Sequence, residues 1–149
     1  LDNPKVNLIF NDGYKYLLST GKKYDLIIMD IEHPSVIYSS NLYTLEFYKL
    51  VKKALNKDGL FTQWSYRPNP DAQIINYNTL KLIFSEVSPK ISGVFNDLYY
   101  IAGTKNISMD EREVYFLNSM LSRNDKRINT LNNPYFGTEM MMREMFNVN

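Results

Sequence analysis

The chain has 149 residues, 44% of them hydrophobic and 22% charged, with 17 basic side chains against 16 acidic for a net charge of +1. These figures fit one ordinary folded domain, exclude collagen-like and wholly disordered classes, and leave no electrostatic footprint for nucleic acid or an anionic membrane. With no cysteine and one histidine, disulfide frameworks, thiol nucleophiles and zinc sites built on Cys or a His cluster are excluded too.

No apolar run approaches the roughly 18 residues that span a bilayer. Residue 1 is Leu, and residues 1–5 lack the basic and apolar regions of a signal peptide. Asp2-Asn3-Pro4 reads as a turn entered from upstream, so the sequence is expected to be a fragment or a trimmed piece.

Residues 6–10 form a short strand-like run that stops at the turn signal Asn11-Asp12-Gly13, and 14–19 suit a brief helix closed by Gly21. Residues 24–29 are the strongest strand signal. Leu26, Ile27, Ile28 and Met29 are continuously apolar, as in a parallel strand covered on both faces. The strand stops at Asp30, and 31–41 read as a loop. A helix is predicted over 42–56, with Phe47, Leu50, Val51 and Ala54 at helical spacing, Thr44 as a cap and Asp58-Gly59 as the stop. A strand over 60–64 follows, then a loop over 67–70 and a helix from an Asp71 cap to about residue 87. Strands over 91–95 and 98–102, joined by Asn96-Asp97, are too close for anything but an antiparallel hairpin. Beyond residue 105 the pattern is a helix over 109–123, a polar turn-rich stretch to 134 and a Met-rich helix over 137–146. Met140, Met141, Met142 and Met145 there suit either a flexible partner surface or a cover for exposed core.

The alternation implies an α/β sheet, mostly parallel, with an antiparallel edge. In such open sheets ligands bind beyond the carboxyl ends of the strands. Here those ends carry Asn11-Asp12-Gly13, Asp30-Ile31-Glu32-His33-Pro34 and Ser65-Tyr66. Carboxylates at adjacent strand ends can hold an adenine amino group or a cationic amine. Asp12 also reads as a plain helix N-cap, Asp30 as a cap or loop carboxylate, His33 as a loop residue, and Trp64 as packing beneath the site.

The run Asn3-Pro4-Lys5-Val6, Asn11-Asp12-Gly13, Tyr16-Leu17, Tyr24-Asp25-Leu26-Ile27-Ile28-Met29-Asp30, Pro34, Asn41-Leu42-Tyr43-Thr44-Leu45-Glu46-Phe47-Tyr48, Leu55 and Asp58-Gly59-Leu60-Phe61-Thr62-Gln63-Trp64 resembles the spermidine synthase family, the polyamine aminopropyltransferases. The resemblance covers about residues 2–105 and is closest to the spermidine synthase-like branch often fused to membrane segments. Asn129-Thr130 with Pro134 resembles a tail motif of that branch.

The resemblance implies a partial doubly wound, Rossmann-like sheet of the class I methyltransferase kind over 1–105, with an antiparallel C-terminal hairpin and its first two strands missing, followed by a helical tail over 106–149. It implies that Asp12 and Gly13 contact the adenine of decarboxylated S-adenosylmethionine or of the methylthioadenosine product. Asp30 matches the first Asp of the family's Asp-x-x-Asp-Pro signature, the proton acceptor from the attacking amine. The second Asp of that signature is His33 here, with Glu32 beside it as a partial substitute for holding the amine. The family's substrate-binding Tyr near the final hairpin has no counterpart, because Ile91-Ser92-Gly93-Val94 occupies that region.

The expected function is aminopropyl transfer to an amine, without a metal, with the fragment alone inactive. The alternatives are S-adenosylmethionine-dependent methyl transfer and a catalytically degenerate domain. Expected partners are the nucleoside and amine substrates, the missing N-terminal half of the domain and a second copy in a homodimer, with no nucleic acid. The expected location is cytoplasmic, or the soluble domain of a membrane-fused protein. Without the missing strands, residues 6–10 have no strand neighbour. Residues 1–20 are therefore expected to be poorly anchored, or to bind the missing half in trans.

Overall fold

The computed structural model describes residues 3–31, 37–65, 69–92 and 97–136. In chain order it contains α1 (Gly13–Ser19), β1 (Tyr24–Met29), α2 (Ile37–Ser40), a 3-10 turn (Asn41–Tyr43), α3 (Leu45–Ala54), β2 (Leu55–Ser65), α4 (Pro70–Lys81), β3 (Glu86–Ile91), β4 (Leu98–Gly103) and α5 (Glu111–Leu121). The four strands form one sheet in the order β1-β2-β4-β3. β1 runs parallel to β2, and β4 is antiparallel to both β2 and β3. One parallel pair therefore meets an antiparallel hairpin, and the described sheet is not mostly parallel.

Burial alternates along β2 and β4, so Phe61, Gln63, Leu98, Tyr100 and Ala102 share a covered face. Phe47, Tyr48 and Val51 of α3 and Ile74, Ile75 and Leu80 of α4 join them in the core. Met120, Tyr135 and Phe136, from beyond residue 105, are buried in that same core. Capping explains the helix starts. Thr44 accepts from the Phe47 N–H, Asn69 from the Ala72 N–H, and Asp110 forms a reciprocal capping box with Glu113. Glu113 also pairs with Lys90 of β3 at 2.7 Å, which fixes α5 against the sheet edge.

Several expectations are corrected. Residues 6–10 form no strand, and Phe10 is 97% exposed. A strand needs a hydrogen-bonding neighbour, and β1 pairs only with β2 among the described strands. α1 is nevertheless anchored: Tyr14 and Leu17 pack on the core, Tyr14 lies 5.9 Å from the Phe47 ring, and the Tyr16 and Tyr24 hydroxyls hydrogen-bond at 2.7 Å. β1 is not covered on both faces. Ile27 and Met29 face Phe61 and Gln63 in register, whereas Leu26 and Ile28 are 51% and 67% exposed. Part of the expected loop over 31–41 is the helical Ile37–Ser40 segment and the turn after it.

α3 ends at Ala54, and Asp58-Gly59 lies inside β2 rather than stopping the helix. The strand register shifts there, with Tyr24 opposite Leu55 but Leu26 opposite Leu60. A Cβ on Gly59 would stand 2.9 Å from the Tyr24 carbonyl oxygen, so the close approach of the two strands requires glycine. The next helix is capped by Asn69, leaving Asp71 free to pair with Arg123 and Arg127. It ends at Lys81, and the first hairpin strand starts at Glu86, with Pro89 tolerated because β3 is an edge. The predicted helix over 137–146, its methionines, and the Asn96 end of the hairpin turn lie outside the described residues. Among the described residues, no helix is long and apolar enough to cross a membrane.

Candidate active site

The carboxyl end of the parallel pair carries the candidate site. A cavity of about 560 Å³ runs along the free side of β1 and beneath α1, and Gly13, Tyr16, Leu17, Met29, Asp30 and Phe47 are among its lining residues. Gly13 and Asp30 are thus brought together. Asp12 is not among the lining residues: it is exposed, and its Oδ1 accepts from the Lys15 N–H at 2.8 Å, capping α1. Glu32 and His33 lie outside the described residues.

Behind Asp30 the structure builds a buried polar floor that the sequence left without assigned roles. Tyr43, Tyr48, Gln63 and Asn76 are all essentially inaccessible. The Tyr48 hydroxyl stands 2.7 Å from Gln63 Oε1 and 2.5 Å from Asn76 Oδ1. One hydroxyl carries one proton, so it donates to one amide and accepts from the NH₂ of the other, whose amide is turned over. That assignment gives a partner to one of the two amide nitrogens, Gln63 Nε2 and Asn76 Nδ2, that otherwise have none. Tyr43 lies close enough to the Gln63 side chain for that amide to act on its phenol.

Electrostatics link floor to rim. Burial pushes the Tyr43 phenol well above its ordinary range; the Gln63 amide opposes that, and the Asp30 charge adds to it. Tyr48 is raised by burial first and by Tyr43 second. Both phenols therefore stay protonated and serve as neutral donors beside the exposed Asp30 carboxylate. The floor left a trace in the sequence: Tyr43 and Tyr48 fall in the Asn-Leu-Tyr-Thr-x-Glu-Phe-Tyr stretch, and Gln63 in the Gln-Trp pair. Trp64 is half-buried on the sheet face opposite Gln63. Among the described residues, no group of three or more His, Asp or Glu is placed to hold a metal ion.

A parallel strand pair running into an antiparallel hairpin, with a carboxylate and a cavity at the strand ends, defines the class: a Rossmann-like α/β domain of the methyltransferase kind. Solved structures similar to it share that fold. A spermidine synthase in complex with the transition-state analogue AdoDATO superposes with a TM-score of 0.65 at 19% identity, covering 82% of this chain and 53% of the other. Human methyltransferase-like protein 13 in complex with SAH gives 0.59 at 16% identity, covering 78% and 58%.

The Spermine/spermidine synthase domain model matches residues 1–104, and the chain belongs to that family. Among similar curated proteins, the polyamine aminopropyltransferase of Methanocaldococcus jannaschii is 52% identical over 68 residues, or 46% of this chain and 23% of that protein. The one from Sulfolobus acidocaldarius is 35% identical over 107 residues, or 66% of this chain and 35% of that protein. The chain spans about a quarter to a third of the length of these relatives.

Proposed function

We propose that the chain supplies part of an aminopropyltransferase site, which moves an aminopropyl group from decarboxylated S-adenosylmethionine to an amine acceptor. The observation that carries this reading is the shared cavity of Gly13 and Asp30 at the end of a parallel strand. The family and the curated relatives, named polyamine aminopropyltransferases, support the reaction class.

In the reaction, an alkyl ammonium (reference pKa about 10) must lose a proton before it can attack. The acceptor's free amine attacks the aminopropyl carbon beside the sulfonium. A C–N bond forms, the C–S bond breaks with its electrons going to sulfur, and neutral methylthioadenosine leaves. Asp30 attracts the cationic acceptor and takes the proton. Gly13, which has open space where a Cβ would stand, lets the nucleoside approach the α1 backbone, with Asp12 beside it. Glu32 and His33 follow Asp30 closely enough in sequence to meet the amine chain.

The open edge of β1, with Leu26 and Ile28 uncovered and the apolar residues Val6, Leu8, Ile9 and Phe10 exposed nearby, supports pairing with the remaining N-terminal half of such a domain. A second reading, methyl transfer from S-adenosylmethionine, is favoured by His33 at the signature's second acidic position. A catalytically degenerate domain is favoured by the same residue.

The test is calorimetry of the full-length protein with methylthioadenosine, followed by product analysis with putrescine and labelled donors. Heat of binding and an aminopropylated product are expected, with the rate falling about 100-fold or more in Asp30→Asn while nucleoside binding persists. No heat would favour the degenerate domain. A methylated product would select the second reading, and full activity in Asp30→Asn would remove Asp30 as the base.

A further inference from the structure

Asn129 lies far along the chain from every residue placed in the site, yet its side chain is fully buried and held on two sides. Its Nδ2 donates to the Tyr43 carbonyl oxygen at 2.9 Å, across 86 residues of sequence. Its Oδ1 accepts from the Tyr135 N–H at 2.7 Å and the Phe136 N–H at 3.2 Å. Its backbone completes the junction: the Leu45 N–H donates to the Asn129 carbonyl, and the Asn129 N–H donates to Thr79 Oγ1, both at 2.9 Å. The Phe136 ring that this turn presents lies 5.4 Å from the Tyr43 ring. The Leu131 N–H adds a bond to Glu46 in the first turn of α3.

Tyr43 is the residue through which these contacts reach the chemistry. It directly follows Leu42, which lines the cavity with Asp30, and Gln63 stands opposite Met29 in register, one residue before Asp30; the Asp30 charge adds to the upward shift of the Tyr43 phenol. We propose that Asn129 is a positioning residue for the transfer reaction, setting the Tyr43–Gln63 wall against Asp30 by bridging the Tyr43 carbonyl to the backbone at 135–136. This rests on the aminopropyl-transfer reading above. Purely structural anchoring could have been supplied by the apolar contacts of Tyr135 and Phe136. A buried amide that spends its donor on the carbonyl of the wall residue fixes the direction of that residue as well as its burial.

The experiment uses the full-length protein with the variants Asn129→Asp, Tyr43→Phe and their combination. Asn129→Asp keeps an oxygen for the Tyr135 and Phe136 N–H groups but replaces the donor to the Tyr43 carbonyl, so the tail stays attached while one bridge is cut. Steady-state kinetics with putrescine should show kcat falling about 10-fold in Asn129→Asp, with KM for the nucleoside donor changed by less than about 2-fold. The double variant should be no slower than the slower single variant, because both act through one wall. Unchanged kcat in a folded Asn129→Asp protein, or effects that multiply in the double variant, would overturn the proposal.

A readout independent of turnover separates this inference from the proposed reaction. In protein labelled with 3-fluorotyrosine, the ¹⁹F signal of Tyr43, assigned by its loss in Tyr43→Phe, should move in Asn129→Asp while that of Tyr99 stays. If wild-type protein transfers nothing, the reaction reading fails on its own; a stationary Tyr43 signal would overturn the positioning role whatever the reaction is.

Discussion

Removing one oxygen from the centre of the core tests whether the polar floor is a connected unit. In Tyr48→Phe the ring and its contacts with Phe47 and Phe61 remain, but Gln63 and Asn76 each lose the hydroxyl that stands 2.7 and 2.5 Å away. Both amides are essentially inaccessible, so bulk water cannot replace the lost partner. A buried polar group left without a partner costs about 1–3 kcal/mol. Gln63 keeps the nearby Tyr43 phenol, which places its share at the low end, whereas Asn76 loses its described side-chain contact. The expected loss is about 2–4 kcal/mol. Urea unfolding followed through Trp64, the single tryptophan, provides the assay. With a slope of about 2 kcal/mol/M, the midpoint should fall by about 1–2 M at unchanged slope. Tyr48→Phe combined with Asn76→Leu should recover part of the loss, because it removes the stranded amide along with its partner. A single-variant loss below about 0.5 kcal/mol would mean that the two amides satisfy each other without Tyr48, and the floor as described would be wrong.

Three other outcomes are expected. Gly59→Ala should cost about 1–3 kcal/mol in the same urea assay, because its Cβ would meet the Tyr24 carbonyl at 2.9 Å and Asn56 O at 3.2 Å, both backbone atoms; a neutral change would show that β1 and β2 separate freely there. Asp12→Ala should weaken the α1 cap by about 1 kcal/mol, speeding amide exchange at Lys15 and Tyr16 while leaving β2 exchange unchanged. Hydrogen bonding from Arg127 holds the Asp125 carboxyl below the usual carboxylate range, against the smaller effect of burial. A depressed carboxyl contributes stability above its unfolded value near pH 4 that is lost as pH falls through the folded value. The stability advantage of wild type over Asp125→Asn should therefore be constant from about pH 5 to 7 and shrink below about pH 4; an advantage that persists unchanged to pH 2 would contradict the ion pair.

The sheet was most legible where one segment carries its own signal. The apolar run ending at Asp30 is the strand Tyr24–Met29, and Thr44 is the cap of α3 as its position before Glu46 suggests. Errors arose where pairing overrides local chemistry. Asp58-Gly59 has the composition of a helix stop, but β1 recruits the chain from Leu55 onward, and glycine is there to let two backbones meet. Residues 6–10 have strand composition and no strand, because hydrogen bonding in a sheet is a property of neighbours. The helix expected to run to about residue 87 stops at Lys81, because residues 86–91 pair with β4 instead.

The site divides along the same line. Its rim is local: Gly13 and Asp30 each follow a turn or a strand end, and a reader of strand ends finds them. Its floor is assembled from residues that meet only after folding, with Tyr48 reaching Gln63 and Asn76 across 15 and 28 positions and Asn129 reaching Tyr43 across 86. Single-sequence patterns carry no record of such pairs. The two parts also differ in what they tolerate. A rim carboxylate in water can be exchanged at little cost in stability, as surface substitutions generally can, and His33 stands where the family signature has a second Asp. Every member of the floor is buried and bonded to another member, so replacing one strands the next. On the proposed reading, substrate choice can therefore drift at the rim, where Asp30 stands, while the floor holds Tyr48, Gln63 and Asn76 in one geometry. If the proposed transfer holds, His33 is expected to bear on which acceptor is used, and Asp30 on whether transfer occurs at all.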